Sequence, residues 1–93
     1  MLKVWEKMNC FNLAMGEVLN IDMNYEQVRA LRSYVAADTK HFRKKSYICL
    51  SGEDPDKFLF YVYFDKNNNI ERITQFRGKN EVKLWDIKNG MVV

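Results

Sequence analysis

Residues 57–65, Lys57-Phe58-Leu59-Phe60-Tyr61-Val62-Tyr63-Phe64-Asp65, decide the fold. The apolar run between the two charged residues is far short of the ~20 residues a membrane-spanning helix needs. Its aromatic and β-branched content marks a strand. Side chains of a strand alternate, so Phe58, Phe60, Val62 and Phe64 fall on one side and Leu59, Tyr61 and Tyr63 on the other. A strand apolar on both sides belongs in the middle of a sheet, with cover on each face.

Working outward, Asp65 to Asn69 reads as a hairpin loop, because Asn tolerates the left-handed conformations of tight turns. Ile70 to Arg77 returns as a strand and Gly78-Lys79-Asn80 turns the chain. Glu81 to Ile87 makes another strand, in which Val82 and Leu84 alternate imperfectly with Trp85 and Ile87. Met91 to Val93 adds a short edge. Upstream, Ser46 to Ser51 is a strand with Tyr47 and Cys49 on one face and Ile48 and Leu50 on the other, and Gly52 to Asp56 turns.

The N-terminal half has a helical texture. From Leu2 to Asn20 the residues Val4, Met8, Phe11, Met15 and Val18/Leu19 recur at steps of three and four, which predicts an amphipathic helix. Asn20-Ile21-Asp22 breaks it. Asn24 with Gln27 three residues later forms a capping-box pattern. Val28, Leu31, Val35 and Phe42 continue one face, so a second helix is expected over about residues 25–43. The expectation is a single α+β domain over residues 1–93, with two N-terminal helices packed on one face of a four-stranded antiparallel meander sheet.

The chain has 93 residues with 47% hydrophobic and 14% aromatic content, which excludes a disordered chain. The net charge of +3 is a local property. Lys40, Arg43, Lys44 and Lys45 place +4 in six residues without an acid, leaving −1 for the rest. Cys10 and Cys49 are too few for a disulfide-stapled secreted miniprotein, and the chain opens with no apolar leader. Two thiols in a cytoplasmic protein are the default reading, with a single disulfide between them as the alternative.

Chemistry-bearing motifs mostly have simpler explanations. Asp65-x-Asn67-x-Asn69 imitates the first half of a calcium loop, but Ile70 stands where Gly is required and Phe76 where a bidentate Glu is required. His41 is the one histidine, so neither a zinc set nor a Cys-His pair has a sequence signature. Met8 and Met15 suit core filling, and Glu53-Asp54-x-Asp56 suits a solvated turn. No catalytic residue, metal ligand or cofactor is assigned.

Two surfaces remain. Lys40, Arg43, Lys44 and Lys45 are suited to phosphate contacts and a nucleic-acid partner. Tyr61 and Tyr63, joined by Trp85 from the last long strand, form an amphipathic aromatic group of the type enriched at protein-binding hot spots. The stretch from Lys57 shares with the RNP1 pattern of RNA-recognition motifs only a basic residue followed by alternating aromatics.

Met23-Asn24-Tyr25-Glu26-Gln27-Val28 with Leu31, followed by Phe60 to Asp65 and Ile70, resembles the helix-then-hairpin texture of small outer-membrane-assembly lipoprotein and β-lactamase-inhibitor-like domains. That resemblance implies a compact module that presents its sheet to another protein. The expected function is a small non-enzymatic protein-binding module, an inhibitor or accessory protein, with a protein partner or a second copy of itself. Nucleic-acid binding through residues 40–45 is the alternative, and no membrane association is expected. Richness in Lys, Asn and Ile suits an AT-rich phage or mobile-element source.

Overall fold

The computed structural model describes residues 10–38, 46–53, 58–77 and 79–91. In chain order the elements are β1 (Cys10–Asn12), a 3-10 turn (Ala14–Gly16), β2 (Val18–Asn20), α1 (Tyr25–Arg29), β3 (Tyr34–Asp38), β4 (Ser46–Ser51), β5 (Phe58–Phe64), β6 (Ile70–Arg77), β7 (Asn80–Asp86) and β8 (Gly90–Met91). Strands β1 and β2 form a hairpin. The other six make one antiparallel meander in the order β3-β4-β5-β6-β7-β8.

The expected α+β architecture is therefore wrong. The protein is mostly β, and α1 is a single short helix among the described residues. Two physical reasons account for the difference. In residues 10–20 a period of two coexists with the helical steps: Phe11, Leu13 and Leu19 pack into the core, while Met15 and Val18 are exposed. A hairpin satisfies that pattern, with Met15 and Gly16 in left-handed conformations at φ 61° and 75° closing the loop. Residues 2–9 of the proposed first helix lie outside the described residues.

The second helix starts as expected. Asn24 Oδ1 accepts from the Gln27 N–H at 2.9 Å, and Gln27 Oε1 accepts from the Asn24 N–H at 3.0 Å, completing the capping box. The Ala30 and Leu31 amides still donate back to the Glu26 and Val28 carbonyls, and the helix goes no further because the amides that follow are claimed elsewhere. The Glu17 carboxylate accepts from the N–H of Arg32 at 2.8 Å and from the N–H of Ser33 at 2.7 Å. Those amides cannot continue an i to i−4 ladder. Tyr34-Val35 then starts a strand whose register shifts at Val35, leaving that residue 52% exposed.

β4 and β6 span the ranges the sequence predicts, and β5 and β7 differ from theirs only at the ends. One face of the sheet carries the core. Ile48, Val62, Ile73 and Trp85 stand in one cross-strand row and Leu50, Phe60 and Gln75 in the next. Leu13, Leu19 and Val28 from the hairpin and α1 cover them. Phe11 meets Phe60 with ring centroids 5.9 Å apart, and Tyr25 meets Phe64 edge-on at 5.1 Å. Each fully buried aliphatic here contributes about 1.5–3 kcal/mol of transfer free energy.

Candidate functional site: the tyrosine face of the sheet

The other face of the sheet is built from three cross-strand rows. Tyr47, Tyr63, Arg72 and Asp86 form the first, Cys49, Tyr61, Thr74 and Lys83 the second, and Ser51, Leu59, Phe76 and Glu81 the third. Alternation along β5 dictates that Leu59, Tyr61 and Tyr63 stand here once Phe60, Val62 and Phe64 enter the core. The residues of the hairpin and α1 that cover the sheet lie on the opposite side.

Aromatic rings tile the middle of this face. Tyr47 lies 5.2 Å from Tyr61 and 5.8 Å from Tyr63 between centroids, and Tyr61 meets Phe76 edge-on at 4.8 Å. These rings are half-buried by one another, and Cys49 beneath them is only 4% exposed. At the β7 side, Glu81 Oε2 accepts from the Tyr63 hydroxyl at 2.6 Å and from the Thr74 hydroxyl. The Arg72 guanidinium stands over the Tyr63 ring at 4.3 Å. Lys83 pairs with Asp86 at 3.0 Å.

The ionisable groups in the middle are held uncharged. Burial pushes the Tyr63 phenol up to about 12, helped by its hydrogen bond to Glu81 and by that carboxylate's charge. Burial also raises Tyr61, with Cys49 and Tyr47 adding to the effect. The Cys49 thiol is raised by burial against a smaller opposing hydrogen bond from Tyr61. A raised thiol is a poor nucleophile at neutral pH. What this surface offers is flat aromatic area with uncharged hydroxyls, rimmed by charge.

Tyr61 and Tyr63 are thus neighbours on one face, but Trp85 does not join them. It is 8% exposed and belongs to the core cluster on the opposite side. The cause is a register shift between Ile73 and Thr74, which pair with Trp85 and Lys83 and leave Leu84 as an extra residue. A bulge of one residue reverses the parity of everything beyond it. The imperfect alternation of Val82, Leu84, Trp85 and Ile87 was its trace in the sequence. Reading it as a bulge would have placed Trp85 inside.

The basic cluster Lys40, Arg43, Lys44 and Lys45 lies outside the described residues, as does His41. Cys10 and Cys49 are free thiols. The calcium-like segment is a turn: Asp65 Oδ1 accepts from the amides of Asn67 at 2.8 Å and Asn69 at 3.0 Å, and Asn68 takes φ 67°. Among the described residues no group of three or more His, Cys, Asp or Glu is placed to hold a metal ion. None of their helices is long and apolar enough to cross a membrane.

Sequence reasoning missed Tyr47, Arg72, Phe76 and Glu81 as members of this surface. Tyr47 and Phe76 were within reach, because each alternates on a strand the sequence already outlined. Arg72 and Glu81 needed the register. A bulge at Glu71, between the pairs Tyr63–Arg72 and Phe64–Ile70, lets Ile70 and Ile73 both enter the core and sets Arg72 opposite Tyr63. Comparison of the chain with protein-family models, curated proteins and solved structures gives no match.

Proposed function

We propose that this chain is a small non-enzymatic protein-binding module, an inhibitor or accessory protein, whose contact surface is the tyrosine face around Tyr61 and Tyr63. The observation that carries the reading is the ring cluster Tyr47–Tyr61–Tyr63–Phe76, in mutual contact on the side of the sheet away from the hairpin and α1. Tyr and Arg are the residue types that dominate binding hot spots, since they bury large rigid area and keep a polar end for a partner. The free thiols Cys10 and Cys49 suit work in the reducing cytoplasm. Replacing Tyr61 and Tyr63 by Ser tests the reading. The circular dichroism of the variant should keep its β signature while capture of the partner in a pull-down is lost, and capture undiminished in a folded variant contradicts the proposal. A Tyr47→Ser variant repeats the test with a milder change to the sheet.

The alternative reading is nucleic-acid binding through Lys40, Arg43, Lys44 and Lys45. It is favoured by the +4 packed into six residues of an otherwise nearly neutral chain. It predicts affinity that falls steeply with salt and collapses in a Lys44→Glu/Lys45→Glu variant. A flat salt response removes it.

A further inference from the structure

A cavity of about 340 Å³ lies between the turn after β2, the β5–β6 turn and the end of β7. Ile70 and Trp85, both members of the core cluster, form its buried floor, so it belongs to the core side of the sheet and not to the tyrosine face. Ile21, Met23 and Ile87 form apolar walls, and Ile87 is 59% exposed there. These walls are fixed before anything binds. The Met23 N–H donates to the Asn20 carbonyl at 3.0 Å, the Tyr25 N–H to the Asn68 carbonyl at 2.9 Å and the Ile87 N–H to the Glu71 carbonyl at 3.0 Å. The turn after β2 is thereby tied to the β5–β6 turn, and the end of β7 to β6. A preformed apolar cavity in the size range of small-molecule sites, roughly 300–1,000 Å³, takes a ligand without first having to be ordered.

The polar groups select the occupant. Asp22 carries the one charge among the described lining residues, and Asn69 adds a neutral carboxamide. The Asp22 amide is spent on Asn20 Oδ1 at 2.9 Å, but its carboxylate has no hydrogen-bond or ion-pair partner among the described residues. Lys83 and Lys88 line a different groove. We infer that this cavity binds a small organic cation, an amine carried on a compact apolar or aromatic body. The body displaces water from Ile21, Met23, Ile70 and Ile87, and the ammonium pairs with the Asp22 carboxylate. The lining also holds the Trp85 indole, the aromatic group that attracts cations best. The same carboxylate repels an anion, and a neutral molecule leaves it without a partner.

This site stands apart from the proposed protein-binding role, since no residue of the tyrosine face lines it. It is tested by NMR titration of the full chain with three probes alike in shape and different in charge: phenethylamine, phenethyl alcohol and phenylacetate. Phenethylamine should shift the amides of residues 21–23 and 69–70 and the Trp85 indole N–H. It should bind roughly fivefold more tightly than the alcohol, with phenylacetate weakest. Asp22→Asn should remove the advantage of the amine and leave the affinity for the alcohol unchanged, while Ile87→Ser should weaken amine and alcohol alike. Equal binding of amine and alcohol by the natural chain, binding of none of the three, shifts confined to other residues, or a preference for the amine that survives in a folded Asp22→Asn variant each overturns the inference.

Discussion

Glu81 shows how much one side chain organises on this surface. Its Oε2 accepts from two hydroxyls, Tyr63 and Thr74, and so fixes the phenol whose ring supports Arg72. The phenol ionises near 10.0 when free and near 12 in the folded chain. The unfolded state therefore sheds this proton first. The stability Tyr63 contributes is whole below about pH 10 and is lost as pH climbs toward 12. Ultraviolet titration of the phenolates, with Tyr63→Phe as the reference, should show that Tyr63 ionises late, and Glu81→Gln should bring it down by removing the neighbouring charge. An unchanged titration in Glu81→Gln would contradict the role given to Glu81.

Asp86 shifts the opposite way, held down to about 2 by Lys83 Nζ and then by the Asn89 amide. Its contribution is present above the free value of 3.8 and disappears as pH falls toward 2. A Lys83→Met variant should move the Asp86 carboxyl resonance's midpoint upward in an NMR pH titration. Failure to move it would show that the Asn89 turn alone sets the value.

At the scale of elements, the N-terminal half folds as it does because of one carboxylate. Glu17 joins the hairpin loop to the turn after α1 through the amides of Arg32 and Ser33 and the Ser33 hydroxyl, and Ser33 is 1% exposed. Burial acts to raise Glu17, but these hydrogen bonds outweigh it and its pKa is lowered. Glu17→Ala strands the amides of Arg32 and Ser33, while the Ser33 hydroxyl keeps the Ala14 carbonyl at 3.0 Å as its acceptor, and should cost about 2 kcal/mol, read from the urea midpoint. Met15 is the complementary case. An exposed Met at φ 61° holds a left-handed conformation that costs L-residues about 1 kcal/mol, so Met15→Gly should raise the midpoint slightly rather than lower it.

The same scale explains what the sequence could and could not disclose. Capping at Asn24 and the boundaries of β4 and β6 were legible because each depends on residues close along the chain. The length of α1 was not, because it depends on Glu17, fifteen residues before Arg32. Nor was the side taken by Trp85, because a bulge is a property of two paired strands and leaves only a broken alternation in one. Deleting Leu84, the extra residue, should remove the bulge and keep Trp85 opposite Ile73 on the core side. In a Trp5→Phe background its fluorescence should stay blue-shifted, and a shift to the red would argue against the bulge.

Among the described residues, a meander of six strands is covered on one side by a hairpin and a short helix, and its second side carries aromatic rings and a charged rim. A sheet with only one packed side is stable in water when its other side is polar or partnered. Here that side is Tyr, Phe, Leu and Cys at the centre, and so the partner is the central claim. Affinity purification of the natural chain and of Tyr61→Ser/Tyr63→Ser from the native host, each with and without nuclease, tests it most directly. The account predicts a protein that co-purifies with the natural chain, persists through nuclease treatment and is missing from the folded variant. A partner retained by the folded variant, or released by nuclease, would contradict it.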